Sequence, residues 1–145
     1  MTRQLIDGKK VVCVSGGFDP IHVGHVRMIQ DAAKFGKVIV IANSDEWLER
    51  KKGYVFMPYE ERQEILYAIK GVVDVVKAVD LDNTVCDSLR HINPHIFANG
   101  GDRGDRNTPE MEVCQEMNIQ MIWGMGGNDK PQSSSWLVDK IREKK

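Results

Sequence analysis

The sequence predicts an α/β protein with a Rossmann-like, doubly wound sheet of five parallel strands, folded as a single domain over residues 1–145. Short apolar segments alternate along the chain with stretches whose apolar residues repeat at helical spacing. The apolar segments are continuously hydrophobic, which is typical of strands buried on both faces. A chain of 145 residues that is 41% hydrophobic can build one core and is short for two.

Five strands are predicted from the continuous apolar segments. They are residues 10–15, 38–42, 72–79, 96–98 and 119–123. The first helix is expected to begin near Val23, to place Val26, Ile29 and Ala33 on its buried face, and to stop at Gly36. Together with the strands on either side, this helix predicts one βαβ unit.

Four further helices follow the same alternation. One begins at Pro58, has acidic residues in its first turn, and is expected to bury Ile65, Leu66 and Ile69 before it ends at Gly71. The others are residues 85–92, 109–117 and 134–143. In open parallel sheets, ligands bind beyond the carboxyl ends of the strands, so the polar loops after the strands are expected to converge on one crevice.

Net charge and hydropathy exclude some classes of partner and location from the expectation. The net charge of −1 gives no global attraction to nucleic acid or to anionic membrane, and neither is expected as a partner. The first ten residues have no apolar core of a signal peptide, and no segment approaches the roughly 20 apolar residues of a membrane span. A cytoplasmic protein is expected. The unclustered cysteines Cys13, Cys86 and Cys114 indicate buried free thiols rather than disulfides.

The most informative segment is residues 16–25, which contain three glycines, a carboxylate and two imidazoles between the first strand and the first helix. Such a junction offers free backbone N–H groups and the positive end of a helix dipole, which suit a phosphate. His22 and His25 are three residues apart, so both rings can reach the same anion. Incidental loop residues are one alternative, and a metal site is another. No convincing third and fourth ligands support the metal.

The motif of His22, Val23, Gly24 and His25 resembles the HxGH motif of the small cytidylyltransferase-like nucleotidyltransferases. That family includes glycerol-3-phosphate cytidylyltransferase, the heptose-phosphate adenylyltransferase domain, archaeal FAD synthetase and phosphopantetheine adenylyltransferase. Two further segments fit, so the resemblance extends over nearly the whole chain. It implies that Gly16, Gly17, Phe18 and Gly24 help to bind the nucleotide.

The second segment spans residues 43–62. In the family, an acidic residue, a mobile loop with a lysine, and an arginine on the next helix surround the acceptor and the phosphates. The resemblance assigns these places to Asp45, to Lys51 or Lys52, and to Arg62, with Lys52 favoured because it directly precedes a glycine. Without the resemblance, a run of basic residues more often indicates only a solvated loop.

The third segment is a serine cluster at the start of the last predicted helix. The family holds its triphosphate with such a cluster, here Ser133, Ser134 and Ser135, although helix capping alone would also explain it. The family's glycerol-phosphate enzymes have an arginine just before the cluster, where this chain offers Lys130. The loop of residues 99–103 is more similar to the GGD of the heptose-phosphate enzymes than to the GDD of the glycerol-phosphate enzymes. The resemblance implies that Gly100 and Asp102 of this loop, like Lys130, help to bind the nucleotide.

The resemblance implies direct in-line attack by an acceptor phosphate on the α-phosphorus of a nucleoside triphosphate, with Mg²⁺ accompanying the nucleotide and pyrophosphate leaving. His22, His25, Lys52 and Arg62 would neutralise the developing charge. Asp19 and Asp45, with Lys51, would orient the acceptor or the loop. The resemblance also implies a homodimer.

The expected reaction is transfer of CMP from CTP to a polyol or sugar phosphate. ATP-dependent adenylyl transfer of the heptose-phosphate type is the alternative. A non-catalytic nucleotide-binding module of the same fold and a flavodoxin-like protein with incidental histidines also stay open. Residues around Asp45, Trp47, Tyr54 and Phe56 are expected near the acceptor, and their mixture of polar and aromatic groups suits a sugar, a polyol or an amino alcohol.

Overall fold

A computed structural model of the chain describes residues 3–80, 84–100 and 108–126, together with Val138. The strands are β1 (Val11–Gly16), β2 (Lys37–Ala42), β3 (Val72–Lys77), β4 (Ile96–Gly100) and β5 (Gln120–Met125). The helices are α1 (Val23–Ala32), α2 (Asp45–Lys52), α3 (Tyr59–Tyr67), α4 (Cys86–Ile92) and α5 (Pro109–Met117). The predicted helix at residues 134–143 lies outside the described residues.

All five strands are parallel and form one sheet in the order β3-β2-β1-β4-β5, which confirms the predicted Rossmann-like fold. The chain moves outward from β1 to β3 and then returns to the other side of β1. The strand order therefore reverses between β1 and β4. The carboxyl ends of these two strands are adjacent, and this is the point where parallel sheets of this kind bind ligands.

The core has one layer on each face of the sheet because neighbouring residues of a strand point to opposite faces. Val12 and Val14 of β1 pack in one layer with Ile29 of α1 and Leu66 of α3. Cys13, between them, packs in the other layer with residues of α4 and α5, including Leu89 and Val113. The free thiols of Cys13 and Cys114 are buried, and that of Cys86 is partly buried.

The structure corrects two expectations about local structure. Residues 45–52 form α2 rather than a loop. This segment shows little apolar periodicity because only Leu48 of the helix is buried. The helix is capped at both ends, since the Ser44 hydroxyl accepts a hydrogen bond from Trp47 N and Gly53 ends the helix at φ +84°. The second correction is Ile65, which was expected in the core and is 37% exposed.

Across the described ranges, no helix combines the length and apolar character needed to cross a membrane.

Candidate active site

The turn after β1 is tightly packed against its surroundings. Phe18 is buried and has a positive φ of +55°, an uncommon backbone conformation for a bulky residue. Its ring contacts Gly16, where an added Cβ would lie only 3.2 Å from it. A Cβ on Gly17 would lie 3.0 Å from the Leu48 side chain of α2. The two glycines therefore allow α2 and the Phe18 ring to approach the turn closely.

His22 and His25 form a reciprocal cap at the N-terminus of α1. His22 is the N-cap residue, and its Nδ1 accepts a hydrogen bond of 3.0 Å from Gly24 N. His25 Nδ1 in turn accepts a hydrogen bond of 3.2 Å from His22 N. The two rings are stacked, with centroids 3.8 Å apart and planes 23° apart, and the Phe18 ring contacts His25 edge-on at 4.9 Å. The arrangement orients both imidazoles through the backbone of the same turn.

These hydrogen bonds also assign the tautomer of each neutral histidine. A ring nitrogen that accepts a hydrogen bond from a backbone N–H carries no proton. The proton of both neutral rings therefore resides on Nε2. In this state each imidazole is a hydrogen-bond donor without a net charge, which suits an anionic ligand at the start of a helix.

The environment of His25 disfavours its charged form. Three effects together lower its pKa from 6.5 to about 3: burial is the largest, followed by repulsion from His22 when that ring is protonated and by repulsion from the Lys52 ammonium. His25 is therefore neutral near pH 7 in the absence of an anion. A bound phosphate would supply the negative charge that this cluster of basic groups lacks.

Asp19 lies in the same turn and holds a neighbouring segment in place. Its carboxylate is completely buried and accepts hydrogen bonds from the backbone N–H groups of Phe56, at 2.7 Å, and of Met57. These two residues belong to the connection between α2 and α3. Asp19 was expected to orient either the acceptor or the loop. Its two carboxylate oxygens bind the α2–α3 connection, which fits the second of these roles.

Arg62 of α3 is also completely buried, and its guanidinium binds four protein acceptors. Nη1 donates to Gly17 O and to Asn43 O, both at 2.7 Å. Nε donates to Met57 O at 2.9 Å, and Nη2 forms an ion pair of 2.7 Å with Asp45 Oδ1. The resemblance implies a phosphate contact for Arg62, which stays a prediction. In the structure this side chain binds the backbone of three connections and the first turn of α2.

The two candidate lysines at the end of α2 differ in their surroundings. Lys52 is partly buried, and its ammonium is close enough to His25 to lower the pKa of that imidazole. Lys51 is exposed and does not contribute to that shift. Of the two candidate lysines, Lys52 rather than Lys51 therefore acts electrostatically on His25.

A cavity of about 290 Å³ lies at the carboxyl ends of β1, β4 and β5. Its lining includes Ser15, Asn99, Gly100 and Thr108, with Trp123 of β5. Gly100 is one of the predicted nucleotide-binding residues and thus borders a space beside the reversal of strand order. The remaining predicted residues Asp102, Lys130, Ser133, Ser134 and Ser135 lie outside the described residues.

The sequence analysis missed Asn43 and Met57 as participants in this network, and it named Phe56 only as a residue near the acceptor. They act through backbone carbonyl or N–H groups. Every residue has a carbonyl and nearly every residue has an N–H, so these contacts leave no trace in a sequence.

The site offers little to a resident metal ion. Within residues 3–80, 84–100 and 108–126, no cluster of three or more histidine, cysteine or acidic side chains could hold one. Both Asp19 oxygens bind backbone N–H groups, and Asp45 pairs with Arg62. These residues fit a Mg²⁺ ion that arrives on the phosphates of a nucleotide and keeps most of its ligands there.

The sequence was compared with models of protein families, with curated proteins and with solved structures. The family model described as cytidylyltransferase-like matches residues 13–129, so the chain belongs to the cytidylyltransferase-like family, a family of nucleotidyltransferases. The matched range includes most of β1, the histidine pair and the α2–α3 connection.

Curated relatives include several proteins named bifunctional protein HldE. The one from Sulfurimonas denitrificans is 36% identical over 121 residues, or 81% of this chain and 25% of the relative. Those from Geobacter sulfurreducens and Citrifermentans bemidjiense are 39% and 32% identical, over 70% and 97% of this chain and 21% and 29% of the relatives. The chain thus spans about a quarter of the length of these relatives.

Solved structures share the fold. A lipopolysaccharide core biosynthesis protein from Thermoplasma volcanium has a TM-score of 0.64 at 20% identity, over 80% of this chain and 96% of that chain. A protein of unknown function from Archaeoglobus fulgidus has a TM-score of 0.58 at 18% identity, over 85% and 95%.

The buried guanidinium leads to a first prediction. We expect Arg62→Lys to lower the free energy of unfolding by about 2–4 kcal/mol, because lysine cannot satisfy the four acceptors and leaves buried carbonyls unpaired. Urea denaturation measures the difference. Arg90→Lys is the control: Arg90 is half exposed, forms only surface ion pairs, and should change stability by less than about 0.5 kcal/mol. Equal stability of the two variants would contradict the structural role of Arg62.

The depressed pKa of His25 predicts a pH dependence of stability. Between pH 6.5 and about 3, the unfolded chain binds a proton at residue 25 that the folded chain does not bind, so this contribution falls as the pH falls. Between pH 7 and 5 we expect wild-type protein to lose about 2 kcal/mol more stability than His25→Asn, whose side chain does not titrate. Urea titrations at the two pH values test this. Parallel losses in both proteins would show that His25 is not buried as a neutral ring.

Proposed function

We propose that this chain transfers a nucleoside monophosphate from a nucleoside triphosphate to a small phosphorylated acceptor and releases pyrophosphate. The observation that supports this most directly is the histidine pair at the N-terminus of α1, oriented by reciprocal hydrogen bonds with the proton of each neutral ring on Nε2. Such donors favour a transition state in which charge accumulates on phosphate oxygens.

The proposed step needs no protein nucleophile. An oxygen of the acceptor phosphate forms a bond to the α-phosphorus, the bond from that phosphorus to the bridging oxygen breaks, and pyrophosphate leaves with the electron pair. The acceptor is already an anion at neutral pH and requires no strong base. Mg²⁺ bound to the triphosphate would offset the charge of the leaving group. The protein contributes alignment and charge stabilisation, which are the main sources of catalysis in phosphoryl transfer.

We assign His22 and His25 to the oxygens of the α- and β-phosphates, with help from backbone N–H groups near Gly17 and Phe18. Lys52 would neutralise the outer phosphates, a role supported by its electrostatic effect on His25. Binding of a phosphate between these groups would raise the pKa of His25 and relieve the mutual repulsion of the cluster.

Arg62 takes a different part in this proposal from the one expected from the sequence. Its burial and four protein acceptors make it a positioning residue that connects the turn after β1 to α2 and to the segment before α3. Asp19 is also a positioning residue, because from the turn after β1 it binds the backbone N–H groups of the segment before α3. Asp45 presents one oxygen to Arg62 and is partly exposed, so it remains a candidate for orienting the acceptor.

Adenylyl transfer of the heptose-phosphate type is our preferred form of the reaction. The similarity to the HldE proteins favours it over CMP transfer to a polyol phosphate, which is the second candidate. The cavity of about 290 Å³ beside Gly100 has room for a nucleobase. Triphosphate contacts of Asp102, Lys130 and the three serines at 133–135 are part of the proposal, as is a homodimer. The cytoplasmic location stays a prediction from the sequence.

The reaction is tested by pyrophosphate release with each of the four nucleoside triphosphates against a panel of sugar and polyol phosphates, with Mg²⁺ present. We expect ATP with a sugar phosphate to be the productive pair, and we expect His25→Ala to lower kcat at least 100-fold, equivalent to about 3 kcal/mol, because one charge-stabilising donor is lost.

The matched control is His91→Ala, which alters an exposed histidine at the end of α4 and should keep wild-type turnover. Circular dichroism checks that both variants fold. Nucleotide binding by wild-type protein without pyrophosphate release for any pair would favour the non-catalytic module. Normal turnover by His25→Ala would remove the catalytic assignment.

The neighbouring lysines provide a second test. We expect Lys52→Ala to raise the KM for the nucleotide or lower kcat by a combined factor of at least 30 in kcat/KM, because a charge next to the phosphates is removed. Lys51→Ala removes an equal charge from the adjacent, exposed position and should change kcat/KM less than threefold. If the two variants lose activity equally, the lysines act only through the general field of the loop.

A further inference from the structure

The connection between α2 and α3 presents an exposed aromatic side chain on a firmly held backbone. Phe56 is 47% exposed, although the residues on either side of it are partly buried. A single exposed apolar residue is common on protein surfaces and needs no explanation by itself. Phe56 is singled out because its backbone is held against the turn that contains the histidines, and an aromatic ring can bury up to about 150–250 Å² of surface against a ligand.

The backbone around Phe56 is fixed by two wholly buried charged side chains. Asp19 accepts a hydrogen bond from Phe56 N at 2.7 Å and another from Met57 N, and Arg62 donates to Met57 O at 2.9 Å. Charge-assisted hydrogen bonds of this kind are stronger than neutral ones and are little screened when buried. The segment has no helix or strand of its own, so these contacts are what orders it.

The same contacts hold the backbone of Phe56 against the turn that contains the histidines. Asp19 is three residues before His22 in one short turn, and Arg62 also binds Gly17 O of that turn. Lys52, whose charge reaches His25, is four residues before Phe56. The site thus combines a cation that suits a phosphate with a flat apolar face a short distance along the chain.

We propose that Phe56 is a specificity-determining residue on which the ring of a phosphorylated cyclic sugar stacks, and this rests on the proposed function. The face of an aromatic ring is negatively polarised and attracts the C–H groups of one face of a pyranose. An open-chain polyol phosphate has no comparable face, so contact with the Phe56 ring would add little to its affinity. Because the platform is ordered before the ligand arrives, it contributes to acceptor affinity with little ordering cost.

Isothermal titration calorimetry tests this directly. Hexose and heptose pyranosyl 1-phosphates, and glycerol 3-phosphate as the acyclic probe, are titrated with α,β-methylene ATP or α,β-methylene CTP present. We expect Phe56→Ala to raise the Kd of the preferred pyranosyl phosphate at least tenfold, while the Kd values for the nucleotide analogue and for glycerol 3-phosphate change less than twofold. Phe56→Trp should keep the affinity, since it restores an aromatic face.

Phe35→Ala is the matched control. Phe35 is 46% exposed but lies between α1 and the start of β2, at the amino ends of the strands, whereas the histidines follow the carboxyl end of β1. Phe35→Ala should therefore leave every Kd unchanged. Equal Kd values for Phe56→Ala and Phe35→Ala would overturn the inference, as would equal weakening of cyclic and acyclic acceptors or no binding of any pyranosyl phosphate by wild-type protein.

A kinetic measurement separates this inference from the proposed function. In the pyrophosphate assay, Phe56→Ala should raise the KM of the sugar phosphate with kcat at saturation within threefold of wild type. If wild-type protein binds a sugar phosphate through Phe56 but releases no pyrophosphate, the stacking role stands and the proposed reaction fails.

Discussion

The buried guanidinium of Arg62 is the interaction on which the site depends. A charge in a protein interior is strongly unfavourable unless it is paired and its hydrogen bonds are satisfied. The four acceptors come from the turn after β1 at Gly17, the end of β2 at Asn43, the first turn of α2 at Asp45, and the segment before α3 at Met57. The hydrogen bonds of the Arg62 guanidinium thus hold three connections of the chain in fixed positions relative to one another.

That arrangement explains how residues far apart in the sequence come together around the proposed site. Arg62 and Asp19 together hold α2 and the α2–α3 connection against the turn that contains the histidines. The pKa of His25 falls because its ring is buried and because His22 and Lys52, which are also basic, act on it electrostatically. Groups held in place in advance need no reorganisation as the transition-state charge develops, which is where much of an enzyme's rate enhancement originates.

Most of the fold was predictable because it follows from local patterns. Continuous apolar segments identified all five strands, and glycine or proline punctuation placed helix ends within a few residues. Helix α2 was missed, since a short polar helix with one buried residue, Leu48, lacks the apolar periodicity that identifies a helix. Its caps at Ser44 and Gly53 were the available signal. Ile65 was misplaced because neighbouring apolar residues on a helix cannot all face the core.

The sequence by itself determined the order of strands and helices and the parallel sheet, and it predicted anion binding by residues 16–25, because each of these inferences depends on residue types close together in the chain. Only the tertiary structure decided that Arg62 binds protein carbonyls, that Lys52 rather than Lys51 approaches His25, and that Phe56 is held in an exposed position. Those outcomes depend on backbone groups and on neighbours far apart in sequence. Backbone carbonyl and N–H groups recur along the whole chain, so folding alone selects which of them a side chain meets.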